Sequence, residues 1–398
     1  MRIALVSREY PPETAHGGIG SQTFLKAHGL TARGHETVVV SASVDKDRHD
    51  SSASGVRVVR VPTGEVRLPL YTDAVEWLTY SVEVARELAS LHAQTAFDLI
   101  AFPEWGGEGY IHLLNRTEWN WMPPVVIQLH GPIVMFAHAI GWPELDSEFF
   151  RTGSTMEATC LRLADGIYSS SSCSADWAAR HYGLKRETIP TLHTGVDTRW
   201  FTPRTGDKES RPTIVFVGRV TDDKGVTMLV DAACRLTSRF PNLQLQICGR
   251  ETKLIGQLQA MAQAVGAPDL LQFLGFVGRD NLPSVLSRAH VFAGPSTYEP
   301  GPGLVYLEAM ACGVPVVACS GAGAAEVVAH ERNGLLVPPR DVDALTDALE
   351  RLLSDERYRA ELAVQARKYA VDEADSEICL TRIESFYTAA AAKRYGLS

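Results

Sequence analysis

The chain alternates short apolar runs with helix-patterned segments, and it does so in two successive series. RIALVS (Arg2–Ser7), ETVVVSA (Glu36–Ala42), VRVVRV (Val56–Val61), FDLIAF (Phe97–Phe102), PVVIQLH (Pro124–His130) and GIYSSS (Gly166–Ser171) form the first set of apolar runs. Runs that stay apolar, without alternating polar residues, are what strands buried on both faces require, and such strands belong to parallel sheets. Parallel neighbours need a crossover, which the helical segments between the runs supply. The pattern restarts at TIVFVG (Thr213–Gly218) and continues through LQLQICG (Leu243–Gly249), LQFLGFV (Leu271–Val277), AHVFAGPS (Ala289–Ser296) and VPVVACS (Val314–Ser320). GVTMLVDAACRLTSRF (Gly225–Phe240) and DVDALTDALERLLS (Asp341–Ser354) carry the helical period.

Between the series, HTGVDTRWFTPRTGDKESRP (His193–Pro212) accumulates glycine, proline and charge, as linkers do. At 398 residues the chain exceeds one ordinary core, so two domains are expected. The fold class read from these patterns is α/β, with two Rossmann-like, doubly wound domains over residues 1–198 and 210–375 facing a deep interdomain cleft. A C-terminal helix, about 376–398, is expected to pack back on the first domain. In such sheets ligands sit beyond the carboxyl ends of the strands, which selects the loops to inspect.

A net charge of −9 argues against a general nucleic-acid or anionic-membrane binder, since both want a basic face. The seven cysteines are scattered without a C-x-x-C pair, which fits reduced thiols in a cytoplasmic protein. No run approaches the roughly 18 apolar residues of a membrane span. The opening MRIALVSREYPP reads as a strand and turn, too short for a signal peptide.

Five loops carry candidate chemistry. In FVGRVTDDKGV (Phe216–Val226) a strand ends at Gly218, and Arg219 and Lys224 stand on the turn before a helix. Two cations beside a helix start would hold a diphosphate; alternatively they pair with Asp222 and Asp223 on the surface. In PSTYEPGPGLVYLEAMACGVPVV (Pro295–Val317), Gly303 opens a helix whose first N–H groups meet a phosphate, with Leu304 and Val305 next in line. Glu308 lies on the Leu304 side of that helix, where a carboxylate needs partners. Vicinal sugar hydroxyls would suit it, and so would a buried salt bridge. Glu299, in the loop before the helix, is placed to accept hydroxyls of a second sugar or to cap.

In ETAHGGIGSQ (Glu13–Gln22), Gly17, Gly18 and Gly20 allow close backbone approach, and Ser21 is a helix-cap candidate; a tight turn is the plainer reading. QLHGP (Gln128–Pro132) places His130 at a strand's carboxyl end, as a site residue or a satisfied structural one. FPEWGGEGY (Phe102–Tyr110) likewise ends a strand and offers Glu104, Glu108 and an exposed Trp105; Glu104 and Trp105 are the acceptor-side candidates, and the same residues also suit a plain folded loop. Two D-x-D pairs, Asp45/Asp47 and Asp341/Asp343, are set aside, the second because it precedes a strong helix. No His/Cys/Asp set has ligand spacing, and no metal or other cofactor is expected.

Taken in order, the GGIG turn, GRVTDDKG, FLGFV, YEP…LEAMACGVPVV and GLLVPPRDVDAL resemble the retaining glycosyltransferase family 4, whose members have the two-domain GT-B fold. The resemblance implies transfer of a sugar from a nucleoside-diphosphate sugar, UDP first and GDP second, to an acceptor hydroxyl. It assigns Arg219, Lys224, Glu299 and His130 to catalysis. Arg219 and Lys224 would offset charge on the departing diphosphate, Glu299 would bind the transferred sugar, and His130 would lie near its reacting carbon. Donor contacts would come from Gly18, Arg250, Val277, Gly303, Leu304, Val305 and Glu308, with Glu308 on the ribose and Val277 flanking the base.

Three departures stand out. Eight residues separate Glu299 from Glu308, one more than the family usually has; Thr194 in HTGVD replaces an asparagine; and CGRETK replaces a commoner Gly-x-Gly-Pro, bringing Arg250 and Glu251 toward the donor. The implied mechanism needs no covalent nucleophile, since attack occurs on the face of departure with a donor phosphate oxygen taking the proton. Two rival readings share the architecture: a nucleotide-sugar epimerase and a non-catalytic nucleotide-sugar binder. The stretch Val66–His92 carries Asp73, Glu76, Glu83 and Glu87 against Arg67 and Arg86, which favours a soluble small-molecule or saccharide acceptor, while Tyr71, Trp77 and Tyr80 offer aromatic contacts. A homodimer is left open.

Overall fold

The computed structural model describes residues 1–14, 17–45, 47–63, 75–117, 122–204, 206, 208–250 and 252–394. Arg67, Tyr71, Asp73 and Glu251 lie outside these residues. The chain divides into two compact units, Met1–Thr194 with Ser376–Ser398, and Gly195–Asp375.

In the first unit the strands are β1 (Arg2–Val6), β2 (Glu36–Ala42), β3 (His49–Ala53), β4 (Val56–Val61), β5 (Leu99–Pro103), β6 (Val125–Leu129) and β7 (Gly166–Ser169). They form a sheet ordered β3-β4-β2-β1-β5-β6-β7, parallel except for the β3–β4 hairpin. The chain order reverses between β1 and β5, so the loops after these two strands share the ligand-binding end of the sheet. Helices α1 (Gly18–Ala32), α2 (Val75–Gln94), α3 (Tyr110–Leu114), α4 (Ile133–Ile140) and α5 (Glu148–Leu163) lie in the connections between strands, and α6 (Ser172–Tyr182) follows β7. Apart from the exposed β3, the strands are covered on both faces, one against α2, α5 and α6, the other against α1 and the C-terminal helix. That last helix, Ser376–Arg394, closes on α1 so tightly that a Cβ on Gly29 would lie 2.2 Å from Leu380. Arg33 adds ion pairs to Glu377 and Glu384 at 3.0 and 2.8 Å.

The second unit contains β8 (Thr213–Val217), α7 (Val226–Leu236), β9 (Gln244–Cys248), α8 (Ile255–Ala264), β10 (Leu271–Gly275), α9 (Leu282–Arg288), β11 (Val291–Gly294), α10 (Leu304–Ala311), β12 (Val316–Cys319), β13 (Leu335–Val337), α11 (Val342–Ser354) and α12 (Glu356–Asp372). Its sheet is ordered β10-β9-β8-β11-β12-β13, and every pairing is parallel. The order reverses between β8 and β11. The loops leaving those two strands hold Arg219, Lys224 and Glu299.

Two local expectations meet different outcomes. Helix α1 begins at Gly18, three residues before Ser21, whose hydroxyl points back to the Gly17 carbonyl at 3.4 Å instead of capping the helix. Asp341 does cap α11, accepting from the Ala344 N–H at 2.9 Å. All seven cysteines are free thiols. Among the described residues, no helix is long and apolar enough to cross a membrane.

Candidate functional site

The second unit's site is assembled where its sheet order reverses. Gly225 closes the turn after β8 with φ of 72°, and a Cβ there would stand 2.1 Å from the Pro295 carbonyl oxygen. Only glycine lets the two loops approach so closely. A backbone bond from Thr297 N–H to the Asp223 carbonyl, 3.0 Å, ties them further.

This closeness puts Lys224 Nζ 2.6 Å from Glu299 Oε2, with both side chains largely buried. The backbone of Glu299 is fixed from behind by the Gly323 N–H, which donates to its carbonyl at 2.8 Å. Lys224 therefore pairs with Glu299 and not with Asp222, which accepts from the Thr227 hydroxyl. Arg219 does take the plainer course: its exposed guanidinium donates to Asp223 at 3.1 Å.

Gly303, with φ of 68°, is the N-cap of α10, and no side chain among the described residues caps that helix. A Cβ at Gly303 would lie 3.7 Å from the Glu299 carboxyl carbon, so the helix start and the Lys224–Glu299 pair are adjacent. Gly303, with its positive φ, turns the chain from the Glu299 loop into the helix. Leu304 and Val305 are half-buried in the first turn, and Glu308 is half-buried one turn on. The Glu308 carboxyl has no hydrogen-bond or ion-pair partner among the described residues. Burial pushes its pKa up to about 7, against an opposing pull from Arg279. Val277 is half-buried against the core, and the Arg250 guanidinium stands 5.8 Å from the ring of exposed Phe276.

In the first unit, Gly18 opens α1, exposed, and a Cβ added to it would meet nothing within 4 Å among the described residues. The fold places no steric demand for glycine there. Gly20 is different, since its Cβ would meet Glu9 at 3.1 Å. His130 is buried at the end of β6; its Nδ1 has no partner among the described residues, and burial holds its pKa well below the usual histidine range, aided by nearby Lys26. The imidazole is therefore neutral at neutral pH.

The acceptor-side candidates need correction. Glu104 has no exposed surface. Its Oε1 accepts from the His130 and Gly131 N–H groups at 2.6 and 2.5 Å, and burial raises its pKa to about 7. A carboxyl enclosed in this way contacts backbone, not an acceptor. Trp105 is half-buried, not exposed, because its indole packs among Trp77, Phe136 and Trp142 with ring centroids 5.8, 5.0 and 6.1 Å away. Glu108, also buried, accepts from the Arg8 N–H at 3.0 Å and is pushed up to about 8 by burial.

Lys26, Glu157 and Arg279 escaped the sequence reading. Lys26 and Glu157 sit on helix faces otherwise made of small and apolar residues, Thr23/Ala27/Leu30 and Met156/Cys160/Leu161. A lone charge in such a stripe is a signal that could have been used. Arg279 lies in an irregular segment with no pattern to mark it. Among the described residues, no group of three His, Cys, Asp or Glu could hold a metal ion.

Two family models match: Glycosyltransferase Family 4 over residues 16–200, and Glycosyl transferases group 1 over residues 199–369. A GDP-mannose-dependent alpha-(1-6)-phosphatidylinositol monomannoside mannosyltransferase of Mycolicibacterium smegmatis is 32% identical, covering 93% of this chain and 94% of that protein. A glycogen synthase of Mycobacterium tuberculosis is 29% identical, over 98% of this chain and 95% of its own. Among solved structures, a sucrose-phosphate synthase from Thermosynechococcus elongatus superposes with a TM-score of 0.83 at 23% identity, covering 98% of this chain and 99% of that one. An Anabaena protein in complex with UDP-glucose gives 0.73 at 19% identity, over 98% and 100%. These likenesses establish the GT-B fold, and with the full-length relative above 30% identity they show that the chain is a glycosyltransferase of family 4.

Proposed function

We propose that this glycosyltransferase moves a hexosyl unit from a nucleoside-diphosphate sugar to an acceptor hydroxyl, with retention of anomeric configuration and without a metal. The observation that carries the reading is the adjacency of Lys224, Glu299 and the uncapped start of α10 at Gly303. A diphosphate arriving there meets an ammonium and a helix terminus, both of which favour anions. Glu299, which in the free protein neutralises Lys224, is released toward sugar hydroxyls when phosphate takes the cation. Glu308, half-buried with no partner among the described residues, is completed by the two hydroxyls of a ribose.

Stabilising the departing diphosphate is the catalytic demand, and a fixed cation in a partly dry site is effective because no solvent has to reorganise. Arg219 gives up only an exposed pairing to join Lys224. Gly18 and His130 of the first unit are read as further donor contacts, a neutral imidazole suiting a sugar hydroxyl. The names of the relatives and structural neighbours, which include GDP-mannose and UDP-glucose, support the donor class, with UDP-glucose the first to try. The acceptor is read as a soluble small molecule or a saccharide.

The test is a thermal-shift screen of UDP, GDP and ADP, then product analysis by NMR with the matching sugar donor, with and without EDTA. Stabilisation by one diphosphate and an α-linked product from an α-linked donor, unaffected by EDTA, are expected. An inverted product, a free epimerised donor, or strict dependence on a divalent cation would each overturn the corresponding part.

A further inference from the structure

The strap Gln128–Ile133, which carries His130, is held in an unusual way. Beyond β6 it has three backbone donors before α4 is under way, those of His130, Gly131 and Ile133; Pro132 has none. All three are taken by carboxylates. Glu104 Oε1 accepts from His130 and Gly131 at 2.6 and 2.5 Å, and Glu157 accepts from Ile133 at 3.0 Å.

Each acid is anchored in turn. The Glu104 backbone N–H donates to the Gln128 carbonyl at 3.1 Å, so this acid is fixed to the strand that leads into the strap. Glu157, on α5, also takes the Tyr182 hydroxyl at 2.5 Å and the Gly106 N–H at 3.4 Å. Successive N–H groups and a helix start form a concave donor site that ordinarily binds an anion. Here the protein fills it with its own side chains. Placing two acids in a buried site is costly in stability, and Glu104 Oε2 is left buried with no partner among the described residues. A backbone-only turn could have closed the strap with less desolvation, which points to a demand for rigidity at His130.

We propose that Glu104 and Glu157 are positioning residues that clamp the His130 strap through its backbone, fixing the imidazole for the transferred sugar without touching any substrate. The proposal rests on the reading of His130 as a donor-sugar contact. The groups facing Glu104 are His130 at the end of β6, Glu157 from α5, Tyr182 from α6 and Glu108 from its own loop. Because burial raises Glu104 to about 7, the strength with which it accepts from the strap changes across neutral pH.

The test uses the full chain with Glu104→Ala and Glu104→Gln, reading amide hydrogen exchange at His130 and Gly131 together with UDP-glucose turnover against pH. Loss of two charge-assisted bonds should speed exchange at both amides about 10- to 100-fold in Glu104→Ala, with most protection regained in Glu104→Gln. In parallel, kcat should fall by a similar factor with KM changed less than about threefold, and Glu104→Gln should lose a titration near pH 7 present in the parent. Unchanged exchange in Glu104→Ala overturns the clamp. If Glu104→Ala does not fold, a parental pH profile in Glu104→Gln overturns it. Protected amides in a parent protein that turns over no nucleotide-sugar would instead sink the reading of His130 and leave the clamp standing.

Discussion

Lys224 and Glu299 are 75 residues apart in sequence and 2.6 Å apart in space, joined across the point where the second sheet reverses its strand order. Their pairing makes the resting site nearly neutral while keeping both charges in place. Lys224→Ala leaves Glu299 largely buried and without its cation, and should cost about 1–3 kcal/mol in stability. Combining Lys224→Met with Glu299→Gln should restore much of that stability. Turnover should not return: on the proposed mechanism the lost cation offsets the leaving diphosphate, so a drop of about 100-fold or more is expected in both. Denaturation midpoints and donor turnover on the same samples separate the two effects. A double variant that regained both would show that the pair is only structural.

Glu308 gives a pH signature. Burial raises its pKa from 4.5 to about 7, so the fold prefers the protonated form. Its contribution to stability is complete below about pH 4.5 and is lost as pH rises through about 7. In the proposed site, ribose hydroxyls would donate to the carboxylate and favour the ionised form. Binding therefore expels a proton below pH 7, and the affinity for UDP should rise up to about tenfold per pH unit before levelling off above 7. Calorimetry across this range should show a steeper slope in the parent than in Glu308→Gln, where the terminal phosphate of UDP still titrates. The same slope in both would remove Glu308 from the ribose site.

How much of this was legible beforehand depended on whether the signal was local. The apolar runs marked the buried parallel strands within a residue or two, since nothing else suits both faces of a covered sheet. They missed β3, His49–Ala53, which is fully exposed and polar and is a strand only because it pairs antiparallel with β4. They also missed β13, whose three residues are too few to make a pattern. Lys224 and Glu299 were picked out singly, but their contact depends on which strands neighbour each other, and that order is not written in either loop. Glu104 misled for the same reason. An acid after a strand looks accessible until the neighbouring strand turns out to carry two amides that enclose it.

The wall behind Glu299 is sterically tight. A Cβ on Gly323 would lie 2.2 Å from the Gly301 carbonyl oxygen and 2.8 Å from that of Glu299. Gly323→Ala should therefore push the Glu299 loop away from Lys224, costing about 1–3 kcal/mol and reducing turnover at least tenfold. A Cβ added to Gly256 in α8 would meet nothing within 4 Å among the described residues beyond its own helix, and Gly256→Ala should be neutral or stabilise by about 0.5–1 kcal/mol with full activity. Melting curves and turnover for the pair provide an internal control. Parental activity in Gly323→Ala would mean that the loop yields without strain.

Lys26 is buried, and its ammonium donates to the Gln128 side-chain oxygen, which also accepts from the Tyr168 hydroxyl at 2.8 Å. Burial lowers its pKa from 10.5 to about 7. For a base depressed in the fold, the unfolded chain binds the extra proton between these two values, so this group makes stability rise with pH from about 7 to about 10.5. Lys26→Met keeps the volume, leaves Gln128 its tyrosine donor and removes the desolvation cost. Stability at about pH 7 should rise by about 1 kcal/mol or more, and the alkaline gain in the parent should vanish. Denaturation followed by tryptophan fluorescence at several pH values would show it. If Lys26→Met is instead less stable at pH 7, the amide network holds the charged lysine better than burial alone allows, and the bond to Gln128 outweighs the desolvation.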